Sequence, residues 1–338
     1  MRVPWQAKFG ALALIWGSSF LLMKVGLEAL APLQLGTLRI VTGAVTVLIT
    51  ALVLGARLPR GAQVWGHLTV SGFLLCSLPF TLFPLGEERV SSALAGIGNA
   101  TTPLSTVLFT LLLIPTERVN GRTLTAVMTG FAGVVVIAQP WQAQGRPDLV
   151  GFGMTLVAGA SYGLGWTYVR RFLARHDVGG LSLPAGQLLM ASAQMVVIIV
   201  VWWLLHWGPA PTGIPLPWSV RAESPSSVLW PLLAVLALGA VGTGLAYALQ
   251  FDVVRAVGPT VSATVTYVIP VVAVLLGVVF LAERLQWPQV LGAAVILVSA
   301  VVVGRPRRAR TEESAEPTSL TGGAAAQPAS ADPDFHLS

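Results

Sequence analysis

The chain has 338 residues, of which 54% are hydrophobic and only 10% charged, and its mean hydropathy is +0.76. That leaves too little polar surface to coat a soluble fold of this length, so the expected solvent is lipid. A net charge of +6 and a pI near 10.2 raise nucleic acid as a partner. The cations, however, cluster at the ends of apolar runs, where they set membrane topology, and no nucleic acid is expected.

A hydrocarbon core takes about 20 apolar residues per helix. Ten such stretches follow one another: 8–30, 33–54, 66–86, 91–115, 123–141, 149–169, 183–207, 228–250, 258–281 and 288–304. The alternating pattern of a membrane barrel is absent, so the expected fold is an all-α integral membrane protein of ten transmembrane helices. The first run follows a basic start, as a signal peptide does, but outlasts an h-region and is read as a retained helix.

Polar residues inside spans mark where chemistry is to be sought, because lipid makes them costly. The first span carries Trp16, Ser18, Ser19 and Lys24, and the second opens near Pro32 and carries Arg39. The fourth holds Asn99, Thr101 and Thr102 before Pro103, and closes on Glu117 and Arg118. The sixth holds Tyr162 and Trp166, the eighth Tyr247, and the ninth Thr264, Thr266, Tyr267 and Pro270 before Glu283 and Arg284. Trp16 and Trp166 depart from the interfacial belt that tryptophan prefers, so the expectation is one cavity with an aromatic side.

Each of these has a plainer reading. Serine and threonine in a helix bond back to their own carbonyls, and Gly159 with Gly163 has the spacing of close helix packing. Pro103 and Pro270 are static kinks or, alternatively, symmetric hinges. Lys24 and Arg39 snorkel to the interface, or place positive potential at the cavity's outer mouth for a carboxylate-bearing solute. Glu117 and Glu283 either bond within their own short loops or accept from the start of a neighbouring helix as gates.

Residues 7–139 and 149–304 read as one five-helix unit written twice. A shift of 167 positions lays Phe80 on Tyr247, Ser92 on Pro259, Asn99 on Thr266 and Pro103 on Pro270. One residue of slip later, Glu283 and Arg284 fall on Glu117 and Arg118. Five is odd, so the second copy is inverted, the pattern of secondary transporters.

With a cytoplasmic N-terminus, most cations, among them Arg57, Arg60, Arg122, Arg170, Arg171, Arg175 and Arg255, fall on the cytoplasmic side, and Arg89, Arg146, Arg221 and Arg284 on the other. That split predicts both termini inside a multi-pass cell-membrane protein. Residues 208–227 form an outward linker or flap, and residues 305–338 a disordered cytoplasmic tail with a basic root suited to anionic membrane lipid.

Catalysis finds no foothold. There is no His-Glu-x-x-His, no intramembrane Ser/His or paired Asp set, and no phosphate-cradling loop. The single cysteine, Cys76, and four scattered histidines suggest no metal and no cofactor.

Taken together, Trp16-Gly17-Ser18-Ser19-Phe20 with Lys24, Arg39 in the second span, and the two runs of Pro, apolar residues and Glu-Arg resemble the EamA family of the drug/metabolite transporter superfamily. The likeness covers residues 7–304 and implies a ten-helix secondary transporter, typically an exporter of amino acids and other metabolites, with a cavity lined by both halves. A small-molecule solute is the implied partner. A non-transporting membrane assembly or receptor subunit is the competing reading, and no pattern specifies proton coupling or an oligomer.

Overall fold

The computed structural model describes residues 3–114, 121–139, 147–176, 178, 180–205, 225–263 and 265–304. The tail from residue 305, most of the 208–227 connection and Glu117 lie outside the described residues.

The regular elements of the described residues are all helices: α1 (Trp5–Gly26), α2 (Pro32–Val53), α3 (Ala62–Gly72), α4 (Leu78–Glu87), α5 (Ser92–Asn99), α6 (Thr102–Leu113) and α7 (Gly121–Ala138), then α8 (Leu149–Tyr168), α9 (Ser182–Leu205), α10 (Pro225–Gly239), α11 (Ala246–Ala263), α12 (Val265–Phe280) and α13 (Trp287–Gly304). Turns of π helix at Phe73–Ser77, Val169–Leu173 and Ala240–Leu245 join α3 to α4, extend α8, and join α10 to α11. Eight segments are long and apolar enough to cross a membrane, and α12 and α13 contain shorter apolar runs.

The helices are apolar nearly all round, so burial in a bundle and contact with lipid are both served. Leu14, Val45, Ile49, Leu52 and Val279 are exposed, while Phe20, Met23, Leu35, Phe83, Val235 and Ile269 form one core cluster. Phe20 meets Phe83 edge-on, with centroids 5.5 Å apart. The sequence halves interleave rather than standing apart: α1 packs on α10, α11 and α12, α2 on α9 and α10, and α4 and α6 both on α8. Glycine permits the closest approaches. A Cβ at Gly159 would lie 2.7 Å from the carbonyl oxygen of Gly98, and one at Gly163 2.7 Å from the amide of Thr106. The Gly-x-x-x-Gly spacing here serves packing of α8 against α5 and α6.

Two expectations need correction. The connection expected between residues 250 and 258 is helical, because α11 continues to Ala263. Residues 251–257 contain neither Gly nor Pro, and Asp252 on this stretch pairs with Lys8 of α1 at 2.5 Å. Pro103 lies well inside the Ser92–Leu113 segment, where a proline is expected to remove a backbone bond. The helix instead breaks at Ala100 and Thr101, so Pro103 sits in the first turn of α6, where its missing N–H costs nothing. Pro270 does lie inside α12.

Candidate functional site

On α1, Trp16, Ser19, Phe20 and Met23 recur at the spacing of a single helix face. That face forms one wall of a cavity of about 540 Å³. The first half adds Arg39, Phe80, Phe83, Asn99 and Pro103 to the wall. From the second half come Tyr162, Trp166, Tyr247, Thr266 and Tyr267. Volume and lining match what small organic ligands require, mostly apolar and aromatic with a few polar groups.

The π turn at Ala240–Leu245 organises the polar side of the wall. Wider winding there changes which backbone groups are presented, and the indole Nε1 of Trp16 donates to the carbonyl of Gly242 at 3.1 Å. Next to it, the Thr243 hydroxyl accepts from Arg39 Nε at 3.2 Å. The Arg39 guanidinium lies 3.8 Å over the Phe80 ring, with Nη1 3.6 Å from the sulfur of Met23. Arg39 is 6% exposed. Among the described residues no ion pair joins it to a carboxylate. A buried cation held by an aromatic face and a hydroxyl is thus presented to the cavity with no ion pair of its own.

The end of the bundle remote from the N-terminus is closed by a different set of contacts. The Glu283 carboxylate accepts from the backbone amides of Ser92 at 2.7 Å and Ala93 at 3.0 Å. The Ser91 hydroxyl accepts from Leu94 at 3.2 Å, so the first three amides of α5 all have acceptors. A carboxylate there also meets the favourable end of the helix dipole. Glu283 is aimed by the end of α12, where Ala282 takes φ 51° and the Glu283 amide donates back to Gly277 at 3.1 Å. Lys24 donates to the backbone carbonyls of Glu87, at 2.5 Å, and Val90, at 3.2 Å, capping the end of α4.

Of the residues singled out in the sequence, Trp16, Arg39, Asn99, Pro103, Tyr162, Trp166, Tyr247, Thr266 and Tyr267 are brought together on one cavity. Ser18 is not. Two residues from Trp16, it lies round the other side of α1 and donates to the Ile15 carbonyl at 3.0 Å. Lys24 is also off the wall, because its ammonium is engaged by backbone carbonyls, and it borders a smaller pocket with Leu27, Glu28, Glu87 and Glu88. Pro270 is buried within α12 and does not line the wall. Bonding back to the helix backbone, the plainer reading of the hydroxyls, describes Ser19 on Ile15 and Thr106 on Thr102, at 3.2 and 2.8 Å.

Sequence reasoning missed Gly242 and Thr243, whose π turn leaves no periodic signal, and Glu87. The last falls just beyond the apolar stretch 66–86, but α4 extends to it and buries it completely. Among the described residues no group of three or more His, Cys, Asp or Glu is gathered as for a metal.

Eight helical segments long and apolar enough to span a membrane, with a solute-sized cavity among them, are the architecture of a multi-pass membrane protein. The chain belongs to the EamA-like transporter family, whose profile matches residues 8–139 and 149–305. It is 27% identical over 297 residues to the "Uncharacterized inner membrane transporter YedA" of Escherichia coli (strain K12), covering 87% of this chain and 88% of that one. It is 25% identical over 294 residues to "Protein PecM" of Dickeya dadantii (strain 3937), covering 86% and 88%. The "Probable amino-acid metabolite efflux pump" of Escherichia coli (strain K12) is 27% identical over 175 residues, 49% of this chain and 55% of that protein. A solved chain described as "Crystal structure of protein" shares the fold with a TM-score of 0.54 at 22% identity, over 88% of this chain and 94% of that one.

Proposed function

We propose that this protein is a secondary transporter of ten spans in two inverted five-helix repeats, exporting small metabolites such as amino acids by alternating access through the central cavity. The observation that carries the reading is Arg39, a buried cation on the cavity wall with no carboxylate of its own, facing an aromatic lining. That pairing suits a solute with a carboxylate and an apolar body. The relative named as a probable amino-acid efflux pump points the same way. With the N-terminus cytoplasmic, the bonds of Glu283 and Lys24 close the outer end, while the lining reaches Val254 and Ser262 towards the inner end. The described state is then inward-facing.

Counterflow in proteoliposomes over a panel of amino acids, their amides and aromatic amines tests this. Arg39→Gln removes a charge-assisted contact, normally about 1.5–3 kcal/mol, so KM for carboxylate-bearing solutes rises roughly 10- to 100-fold. Amides and amines are little affected. An equal loss for all solutes, with the protein still folded, would make Arg39 a packing residue.

A further inference from the structure

Glu87 is the last residue of α4 and has no exposure, yet neither carboxylate oxygen has a hydrogen-bond donor. Buried polar atoms are almost always bonded, so two orphan acceptors on one buried group mark a place where something binds. Its nearest cation does not satisfy it, because the Lys24 ammonium is turned to the backbone carbonyls of Glu87 and Val90.

The position is as informative as the lack of partners. Phe83, one helical turn earlier on the same face of α4, lines the central cavity. Glu87 borders the smaller pocket beyond it, with Leu27, Glu28 and Glu88. It therefore occupies the partition between the cavity and the closed end. The charges that reach it are Lys24 from α1, Arg39 from α2 and Glu283 from the end of α12. The other helices packed on α4 near this point, α5 and α8, carry no acidic or basic side chain. Asp148, just before α8, is turned to Arg89 at 3.5 Å.

A metal cation would need several further oxygen ligands. The described residues gather no such group, and the ammonium of Lys24 stands beside the acid. A proton needs one oxygen and removes the charge that makes an unpaired buried carboxylate costly.

We propose that Glu87 is the proton-binding site that couples this transporter to the proton gradient. The proposal rests on the transport reading above. When the outer end opens, the smaller pocket hydrates Glu87 and an O–H bond forms with a proton from outside water. Closure carries the neutral acid into the dry partition. The O–H bond then breaks towards cavity water past Phe83, and the regenerated carboxylate is compensated by Lys24 until the next opening. One proton enters for each solute that leaves.

Proteoliposomes carrying the full chain test this with the panel solute that gives the fastest counterflow. In the wild type, a gradient of one pH unit drives accumulation up to about tenfold, the limit for one proton per solute. Efflux of solute acidifies the compartment it leaves, read with trapped pyranine. Glu87→Gln abolishes gradient-driven accumulation and flattens the pH dependence of counterflow, and Glu87→Asp restores both in part. Accumulation that persists in Glu87→Gln overturns the assignment. If Glu87→Gln fails to fold, the wild-type pyranine signal decides, since counterflow without proton movement overturns the coupling and leaves the transport reading standing. No counterflow with any solute in the panel overturns the transport reading and the coupling with it.

Discussion

Arg39 shows how one side chain is assembled from parts far apart in sequence. Phe80 supplies the ring beneath it, Met23 the sulfur beside it and Thr243 the acceptor, so four helical elements converge on one guanidinium. A planar guanidinium stacks and donates at the same time, whereas an ammonium acts as a point charge. Arg39→Lys therefore keeps the charge but loses the stack and the Thr243 bond. The expected outcome is a KM for carboxylate solutes raised about fivefold, between wild type and Arg39→Gln, which corresponds to about 1 kcal/mol. A KM equal to that of Arg39→Gln would show that geometry, not charge, holds the solute. Arg39 was legible in the sequence because an arginine inside an apolar run is rare. Ser18 misled because two adjacent serines look equivalent in one dimension, although 100° of helix rotation separates them and only Ser19 reaches the wall. Glu87 and Glu88 differ in the same way: one is fully buried and the other exposed, a difference set by how α4 packs.

At the scale of single elements, α8 illustrates two opposed uses of glycine. A Cβ at Gly163 would meet the backbone of Ser105 and Thr106 at 2.7–2.8 Å, whereas one at Gly153 meets nothing within 4 Å. Gly163→Ala should destabilise by about 1–3 kcal/mol through overpacking against backbone that cannot yield. Gly153→Ala should stabilise by roughly 0.5–1 kcal/mol through lower chain entropy. Thermal unfolding in detergent measures both, and equal signs would refute the close α6 and α8 packing. The start of α8 carries its own pH signature. Asp148 accepts from the Gly151 amide at 2.7 Å and faces Arg89, and these hold its carboxyl below the ordinary 3.8. A lowered folded value means that the cap contributes fully above the ordinary value and is lost as pH falls through the lowered one. Acid fraying of α8, read by amide exchange at Gly151, should thus begin below about pH 3.8 and vanish in Asp148→Ala. The spans themselves were legible because apolar length is a strong signal. The three π turns were not, since they insert residues without changing composition, and one of them supplies the partners of Trp16 and Arg39.

For the molecule as a whole, the question is what holds one end shut, and Glu283 gives the clearest handle. Its carboxylate reaches the start of α5, 191 and 190 residues away, instead of bonding only within its own loop. In the inverted-repeat reading Glu117 is its counterpart at the opposite face, so the two acids should bias the access equilibrium in opposite directions. Impermeant maleimide reports this in a Cys76→Ser background. Single cysteines at Arg60 and Glu28, both exposed, should first label from the inside and the outside respectively, since labelling of both from one side would overturn the assumed orientation. Met23→Cys then serves as the reporter, because Met23 lines the cavity and is 1% exposed behind the closed end. Glu283→Gln weakens a charge-assisted closure by about 1.5 kcal/mol, and outside labelling of that cysteine should rise about tenfold. Glu117→Gln should lower it by destabilising the other closed end. The proposed inverted repeat requires that opposition: if both changes raise labelling, or both only lower thermal stability, the two acids are helix-end anchors, and the proposed alternating access loses this symmetric pair as its gates.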